Sequence, residues 1–326
     1  MFDQLIETLR AKPRSIVLAD GPDPRVLEAA SRLTADGVLS VILTGSQEEM
    51  DAAAKEGGFD ISKCTVLDPK TYPQMDAMVD TMVQLRKGKM TPEECRAALQ
   101  KGNYFGTMLV KMGVADCLLG GATYSTADTV RPALQLIKTK PGNSIVSSVF
   151  ILTRPTTSDG SCNETLAMAD CAINIAPNED ELAEIATETA KTAAAFGIEP
   201  RIAFLSYSTQ GSGKGATVDL VRNACAKAKA AAPELEIDGE LQFDAAYSPV
   251  VACTKCKGSP VAGKANVFIF PNIDAGNIGY KIAQRLGGFE AYGPILQGLN
   301  APINDLSRGC NVDEIYRMAI ITAAMV

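Results

Sequence analysis

The sequence contains no histidine, so every proton transfer must fall to Asp, Glu, Cys, Lys, Tyr or a group on the substrate. This excludes Ser-His-Asp and Cys-His catalysis and any zinc site built on imidazoles, and it gives weight to a catalytic carboxylate. Tryptophan is absent too, which excludes little. No run approaches the roughly 18 apolar residues of a membrane span. The first residues, Met1-Phe-Asp-Gln-Leu-Ile-Glu-Thr-Leu-Arg10, alternate charge with apolar side chains and lack the apolar core of a signal peptide. No block of Lys and Arg occurs and the net charge is -7, which argues against a nucleic-acid surface. The expectation is a cytoplasmic protein with neither a membrane nor a nucleic acid as partner.

What is present is ordinary for a soluble enzyme. The 326 residues suggest about two domains, each able to bury a full core. Hydrophobic residues make up 46% and charged residues 21%, typical of globular chains. The 9 cysteines, an odd number without a framework pattern, suit reduced thiols. Cys253-Thr-Lys-Cys256 is the one close pair. With no second pair at metal-site spacing, it reads as incidental thiols.

Strand and helix signals alternate from the start. Ser15 to Asp20 reads as a strand, Pro24 to Ala35 as a proline-started helix stopped by Gly37, and Val38 to Leu43 as the next strand. In the second half, Asn178 and Glu181 form a capping box for a helix running to Phe196 and stopped by Gly197, and Arg201 to Tyr207 follows as a buried strand. Asn266 to Asn272 is a further strand, turning through Asp274-Ala-Gly-Asn277 into a helix from Ile278 to Leu286. The segment Pro141 to Ser144 and an expected loop from Thr153 to Asn163 interrupt this rhythm and suggest a domain change near the middle. The fold class is α/β with parallel sheets, whose ligands bind beyond the carboxyl ends of the strands.

The most informative segment is Gly293 to Tyr316, where Ser307-Arg308-Gly309 opens onto a terminal helix. Val312, Ile315, Met318, Ala319 and Thr322 recur at helical spacing, so that helix starts at Val312 with Asn311 as its N-cap. A helix N-terminus carries roughly half a positive charge and Arg308 adds a full one, which suits phosphate or a developing oxyanion. Glu314, one turn into the helix, is the candidate base. It also stands at the spacing of a capping box with Asn311, and spacing leaves both roles open.

Other motifs are weaker. Gly211-Ser-Gly-Lys-Gly215 lacks the P-loop frame, since Ser208 stands where the first glycine belongs and Gly215 follows Lys214. It reads either as a loop offering backbone amides and Lys214 to phosphates or as a solvated turn. Gly276 and Gly279 do not give a dinucleotide fingerprint. Tyr124-Ser-Thr-Ala-Asp-Thr-Val-Arg-Pro132 places hydroxyls and Arg131 before an expected proline-started helix, where Ser125 or Thr126 either caps or touches ligand.

Four segments together resemble the phosphate acetyltransferase (phosphotransacetylase) family: Tyr124 to Thr139, Leu205 to Thr209, Asn272 to Lys281 and Gly293 to Arg308. Asp23 to Ala30 and Ala169 to Asn174 extend the likeness over nearly the whole chain. The resemblance implies two α/β/α domains with mostly parallel sheets, like isocitrate and isopropylmalate dehydrogenases, with the active-site cleft between them. Their expected extents are 1–145 plus 300–326 and 146–299. It also implies acetyl transfer between acetyl phosphate and coenzyme A, with coenzyme A as a substrate, no tightly bound cofactor, no catalytic metal, and a homodimer.

By position, Ser307 and Arg308 match the family's active-site pair, Arg131 and Arg86 its substrate arginines, and Glu314, with Asp313 beside it, its catalytic aspartate. Ser125, Thr126, Thr129 and Tyr280 lie in the matching motifs as candidate substrate contacts. Asp20-Gly-Pro-Asp23 departs from the more usual Glu-Gly and is expected to stand apart from the chemistry. The expected reaction is direct thiolate attack. A thiol near ~8.5 and a Glu near ~4.3 are mismatched by about four pKa units, or about 5 to 6 kcal/mol, which the site must narrow. The alternatives are a butyryl-transferring relative, a catalytically silent domain of this fold, and a nicotinamide-dependent decarboxylating dehydrogenase. The last would need a carboxylate metal site that the sequence does not signal.

Overall fold

A computed structural model describes residues 2–158 and 162–326. The chain divides into two compact units, the first of Met1–Pro141 with Leu299–Val326 and the second of Gly142–Gly298.

In the first unit, strands β1 (Ser15–Leu18), β2 (Ser40–Thr44), β3 (Thr65–Leu67) and β4 (Cys117–Gly120) are joined through helices. The second unit contributes β5 (Ser147–Pro155), β6 (Asn163–Ala169), β7 (Arg201–Leu205), β8 (Glu236–Leu241), β9 (Val267–Ile269) and β10 (Glu290–Gln297). The chain then returns to the first unit as β11 (Ile303–Asp305). The first sheet, in the order β11-β4-β1-β2-β3, is parallel throughout.

Its strands are short and apolar because both faces are covered. Val17 and Leu118 cluster with Phe105, Met78, Met82 and Met108. Side chains alternate along a strand, so Ile16 and Leu18 serve the opposite layer. The terminal helix Val312–Ala324 packs against Pro24–Ala35, Phe2–Ala11 and β4. It buries Ile315, Met318, Ile320 and Ile321, each contributing roughly 1.5–3 kcal/mol. A buried hydrogen bond of 2.9 Å from Asn304 to Thr322 ties β11 to it.

The sheet of the second unit runs β10-β5-β6-β9-β7-β8. Its β10, β5 and β6 are antiparallel, and β6, β9, β7 and β8 are parallel. Phe268, Leu205, Leu241 and Phe150 center its core. The sheets are thus mostly parallel, as the fold class requires.

Three local expectations change. Thr153 to Pro155 and Asn163 belong to the β5–β6 pairing, which replaces the ends of the expected loop, while Asp159 to Ser161 lie outside the described residues. The helix expected from Ile278 begins at Ile273, because the Asn272 side chain accepts from Ala275 N and caps it there. Gly276 is then an interior helical residue, and a Cβ on it would lie 2.2 Å from the Asp170 carbonyl. Its role is close packing. Finally, the helix near Arg131 spans Thr126–Pro132 and does not start at Pro132. Ser125 caps it earlier, and Pro132, which has no N–H to donate, is followed by a π turn over Ala133–Ile137.

Candidate active site

The Ser307 turn is held from three sides. Leu306 N donates to Gly120 O at 2.7 Å and Cys310 N closes the turn onto Ser307 O at 2.9 Å. Gly309 N donates to Ser307 Oγ at 3.3 Å. Beyond the turn, Asn311 caps the terminal helix and the full capping box is present: Glu314 N donates to Asn311 Oδ1, and Glu314 Oε2 accepts from Asn311 N, each at 2.9 Å. The structural role that spacing left open is therefore realised. The box engages only Oε2, and among the described residues no hydrogen bond is found to Oε1.

Asp313 points elsewhere, pairing with Arg32 at 2.7 Å. Arg32 in turn lies over the Tyr316 ring. Ser307 and Arg308 are exposed, and among the described residues the Arg308 guanidinium has no ion-pair partner.

Arg25 lies beneath this turn. Its guanidinium donates to Arg308 O at 2.9 Å, Cys310 O at 2.8 Å and Ala122 O at 3.0 Å, and makes a two-point contact with the Asp23 carboxylate. Burial alone would raise Asp23, but hydrogen bonds from Arg25 keep it below the usual carboxylate range. Asp20 accepts the backbone N–H groups of Gly121 at 2.9 Å, Ala122 at 3.3 Å and Thr123 at 2.8 Å, together with the Thr123 hydroxyl. Asp20-Gly-Pro-Asp23, expected to stand apart from the chemistry, thus organises both the Ser307 turn and the loop leading to Arg131. Its carboxylates face backbone donors and a guanidinium, a placement that composition alone does not reveal.

Asp305 ends β11, two residues before Ser307. It is 1% exposed and its Oδ1 has no hydrogen-bond partner, as is true of the buried Oγ1 of Thr129. Gly121 adopts φ +106°, and a Cβ there would meet Asp305 Oδ1 at 2.3 Å, so this close approach needs glycine. Burial pushes the Asp305 carboxyl up to about 6, against the lowering influence of Thr126 and Thr129 and with a further raise from Asp20.

Of the other candidate residues, Ser125 is committed to capping. Its Oγ accepts from Asp128 N at 3.3 Å and donates to the Asp128 carboxylate at 2.6 Å. Thr126 is exposed, and Thr129 is buried beside Asp305. Arg131 and Arg86 both act on Tyr104. Burial raises the Tyr104 phenol and the two guanidinium groups pull it back down. The phenol donates to Gln135 Oε1 at 3.1 Å. Arg86 Nε is buried without a partner. Tyr280 belongs to the second unit, where its ring stacks on Phe150 at 3.9 Å.

The Gly211 loop is also in the second unit, and the amides of Gly211, Ser212 and Gly213 are occupied. Gly211 N donates to Glu240 Oε1 at 2.7 Å, Ser212 N to Thr209 O at 3.0 Å and Gly213 N to Ser208 Oγ at 2.8 Å. An internal carboxylate takes the place that a phosphate would need. Sequence reasoning passed over Arg25, Tyr104 and Asp305. The available signals were the Asp23-Pro-Arg25 segment and a carboxylate closing the apolar run before Ser307.

The chain matches a family model described as phosphate acetyl/butaryl transferase over residues 1–323. It is 53% identical over 324 residues to a phosphate acetyltransferase of Bacillus subtilis (strain 168), covering 99% of this chain and 98% of the relative. Among solved structures it is similar to a phosphotransacetylase from Streptococcus pyogenes, with a TM-score of 0.95 and 53% identity, covering 99% of this chain and 97% of the other. A branched-chain phosphotransacylase from Enterococcus faecalis V583, 20% identical, shares the fold at a TM-score of 0.68, with 95% and 99% covered.

Proposed function

We propose a mechanism on the premise that this chain belongs to the phosphate acetyl/butyryl transferase family. The chain is an acyltransferase, reversibly moving an acetyl group between acetyl phosphate and coenzyme A. Glu314 takes the thiol proton of coenzyme A through Oε1, and the sulfur attacks the carbonyl carbon of acetyl phosphate. Ser307 donates to the tetrahedral oxyanion. The carbon–oxygen bond to phosphate then breaks, and phosphate leaves toward Arg308 and Arg131 with its new charge neutralised. Arg86 and Tyr104 add donors for the substrates' phosphate groups.

The observation that carries this reading is a guanidinium and a hydroxyl presented on an exposed turn whose backbone is held at Leu306, Arg308, Gly309 and Cys310. Such preorganised donors stabilise developing charge without reorganising during the reaction. Glu314 is favoured over Asp313 because capping anchors it through one oxygen and leaves the other to accept, whereas Arg32 claims Asp313.

The direct test is acetyl-coenzyme A formation from acetyl phosphate and coenzyme A, followed by thioester absorbance, with butyryl phosphate compared at equal concentration. Faster turnover of the butyryl compound would move the acyl specificity, and silence with both would reject catalysis. Glu314→Gln keeps an oxygen for the capping box but cannot take a proton. Its kcat is expected to fall about 100- to 10,000-fold with melting unchanged, while Asp313→Asn stays near wild type. The reverse ranking would make Asp313 the base.

A homodimer is supported by the helix Ile273–Leu286, whose Ile278, Ile282 and Leu286 stand exposed at four-residue spacing, Leu286 at 85%. Leu286→Glu is expected to shift the mass in solution from dimer toward monomer by light scattering. An unchanged dimer would place the interface elsewhere. A cytoplasmic location is supported by 9 cysteines that are all free thiols. Among the described residues, no helix is long and apolar enough to cross a membrane.

A further inference from the structure

We propose that Arg25 is a positioning residue of the acyl-transfer site, fixing the Ser307–Arg308 turn against the loop that leads into the Arg131 helix. The inference rests on the reading of that turn as catalytic. A guanidinium has five N–H donors, and every one is engaged within the protein. Nε and one Nη2 hydrogen go to Asp23 at 3.0 and 2.8 Å, the other Nη2 hydrogen goes to Ala122 O, and both Nη1 hydrogens go to the carbonyls of Arg308 and Cys310.

No donor is left for a substrate, so Arg25 acts through the backbone it holds. It lies at the second position of the helix Pro24–Ala35, after a proline and under the Asp23 cap, and its own placement is therefore rigid. Its three carbonyl acceptors belong to two segments, Ala122 on the way to Thr126 and Arg131, and Arg308 and Cys310 on the turn. One planar fork thereby sets the distance between the elements that carry the two phosphate-facing arginines. Lysine supplies donors from a single point and cannot span them.

Cys310 gives an independent readout. Its sulfur is buried, lies 3.9 Å from Arg25 Nη1, and burial pushes its thiol up to about 11. The Arg25 cation opposes that rise. Removing the charge alone would slow alkylation of Cys310, so faster alkylation reports that the turn has opened.

The experiment compares wild type, Arg25→Ala and Arg25→Lys in the full-length protein. It measures kcat, KM for each substrate, alkylation of Cys310 by peptide mass spectrometry, and rescue by low millimolar guanidinium. In the alanine variant, kcat is expected to fall about 100-fold, the effect of a displacement near 1 Å at reacting groups. KM should change little, Cys310 should label faster, and guanidinium should restore part of the rate. The lysine variant should lose nearly as much, and it carries the test alone if the alanine variant does not fold. Unchanged kcat overturns the proposal. So does lost kcat with Cys310 still protected and no rescue, which would make Arg25 a direct substrate contact. An inactive wild type would reject the catalytic reading of the turn instead, while Cys310 labelling would still test the clamp.

Discussion

Arg308→Ala is expected to lower kcat/KM about 100- to 1,000-fold, the typical loss of one charge-stabilising donor of about 2.7 to 4 kcal/mol. The loss should appear without unfolding. Arg308 is exposed, and Arg25 and Cys310 N grip the turn's backbone, not this side chain. Surface substitutions of this kind usually shift stability by less than about 0.5 kcal/mol. Arg308→Lys should recover only part of the rate, because an ammonium keeps the charge but not the two parallel donors that fit a phosphate. Initial rates with acetyl phosphate and coenzyme A each varied, alongside a thermal melt, check both statements. A rate within a few-fold of wild type would mean that the leaving phosphate is held elsewhere.

The terminal helix shows how far local chemistry alone can carry a site. Its start at Val312, its Asn311 cap and the position of Glu314 follow from periodicity and capping preference, which depend on near neighbours in the chain. The helix Pro24–Ala35 and the capping box at Asn178 are legible for the same reason. Arg25 was not, because its meaning depends on carbonyls nearly 300 positions away in sequence. Neither was the Gly211 loop, whose Gly211 amide is taken by Glu240 on another strand. Ser125 was an undecided cap until its hydrogen bonds to Asp128 fixed the start of its helix. Asp305 is the extreme case. Its sequence neighbours suggest a polar strand end, and only the pairing of β11 with β4 buries it against Gly121.

That burial leads to the second large expectation, that Asp305→Asn stabilises the protein at neutral pH. Burial holds the folded carboxyl at about 6, above the ~3.9 of a free aspartate, so the folded state binds its proton more tightly than the unfolded state does. Between these two values the folded state holds more protons, and stability therefore falls as pH rises through that window. Above it the loss is complete, at about 3 kcal/mol. Asparagine carries no charge and avoids it. The variant should therefore be more stable than wild type by up to about 3 kcal/mol at pH 7.5, with the gain shrinking toward zero near pH 4. Urea unfolding at both pH values measures this directly, and a variant no more stable at pH 7.5 would show that the site does not disfavour the carboxylate. A gain in stability joined to a lower kcat would identify why an ionisable group is kept there. An ionised Asp305 facing Thr126 and Thr129, two residues from Ser307, would be destabilising to the fold and useful to the turn, the pattern expected where activity and stability compete.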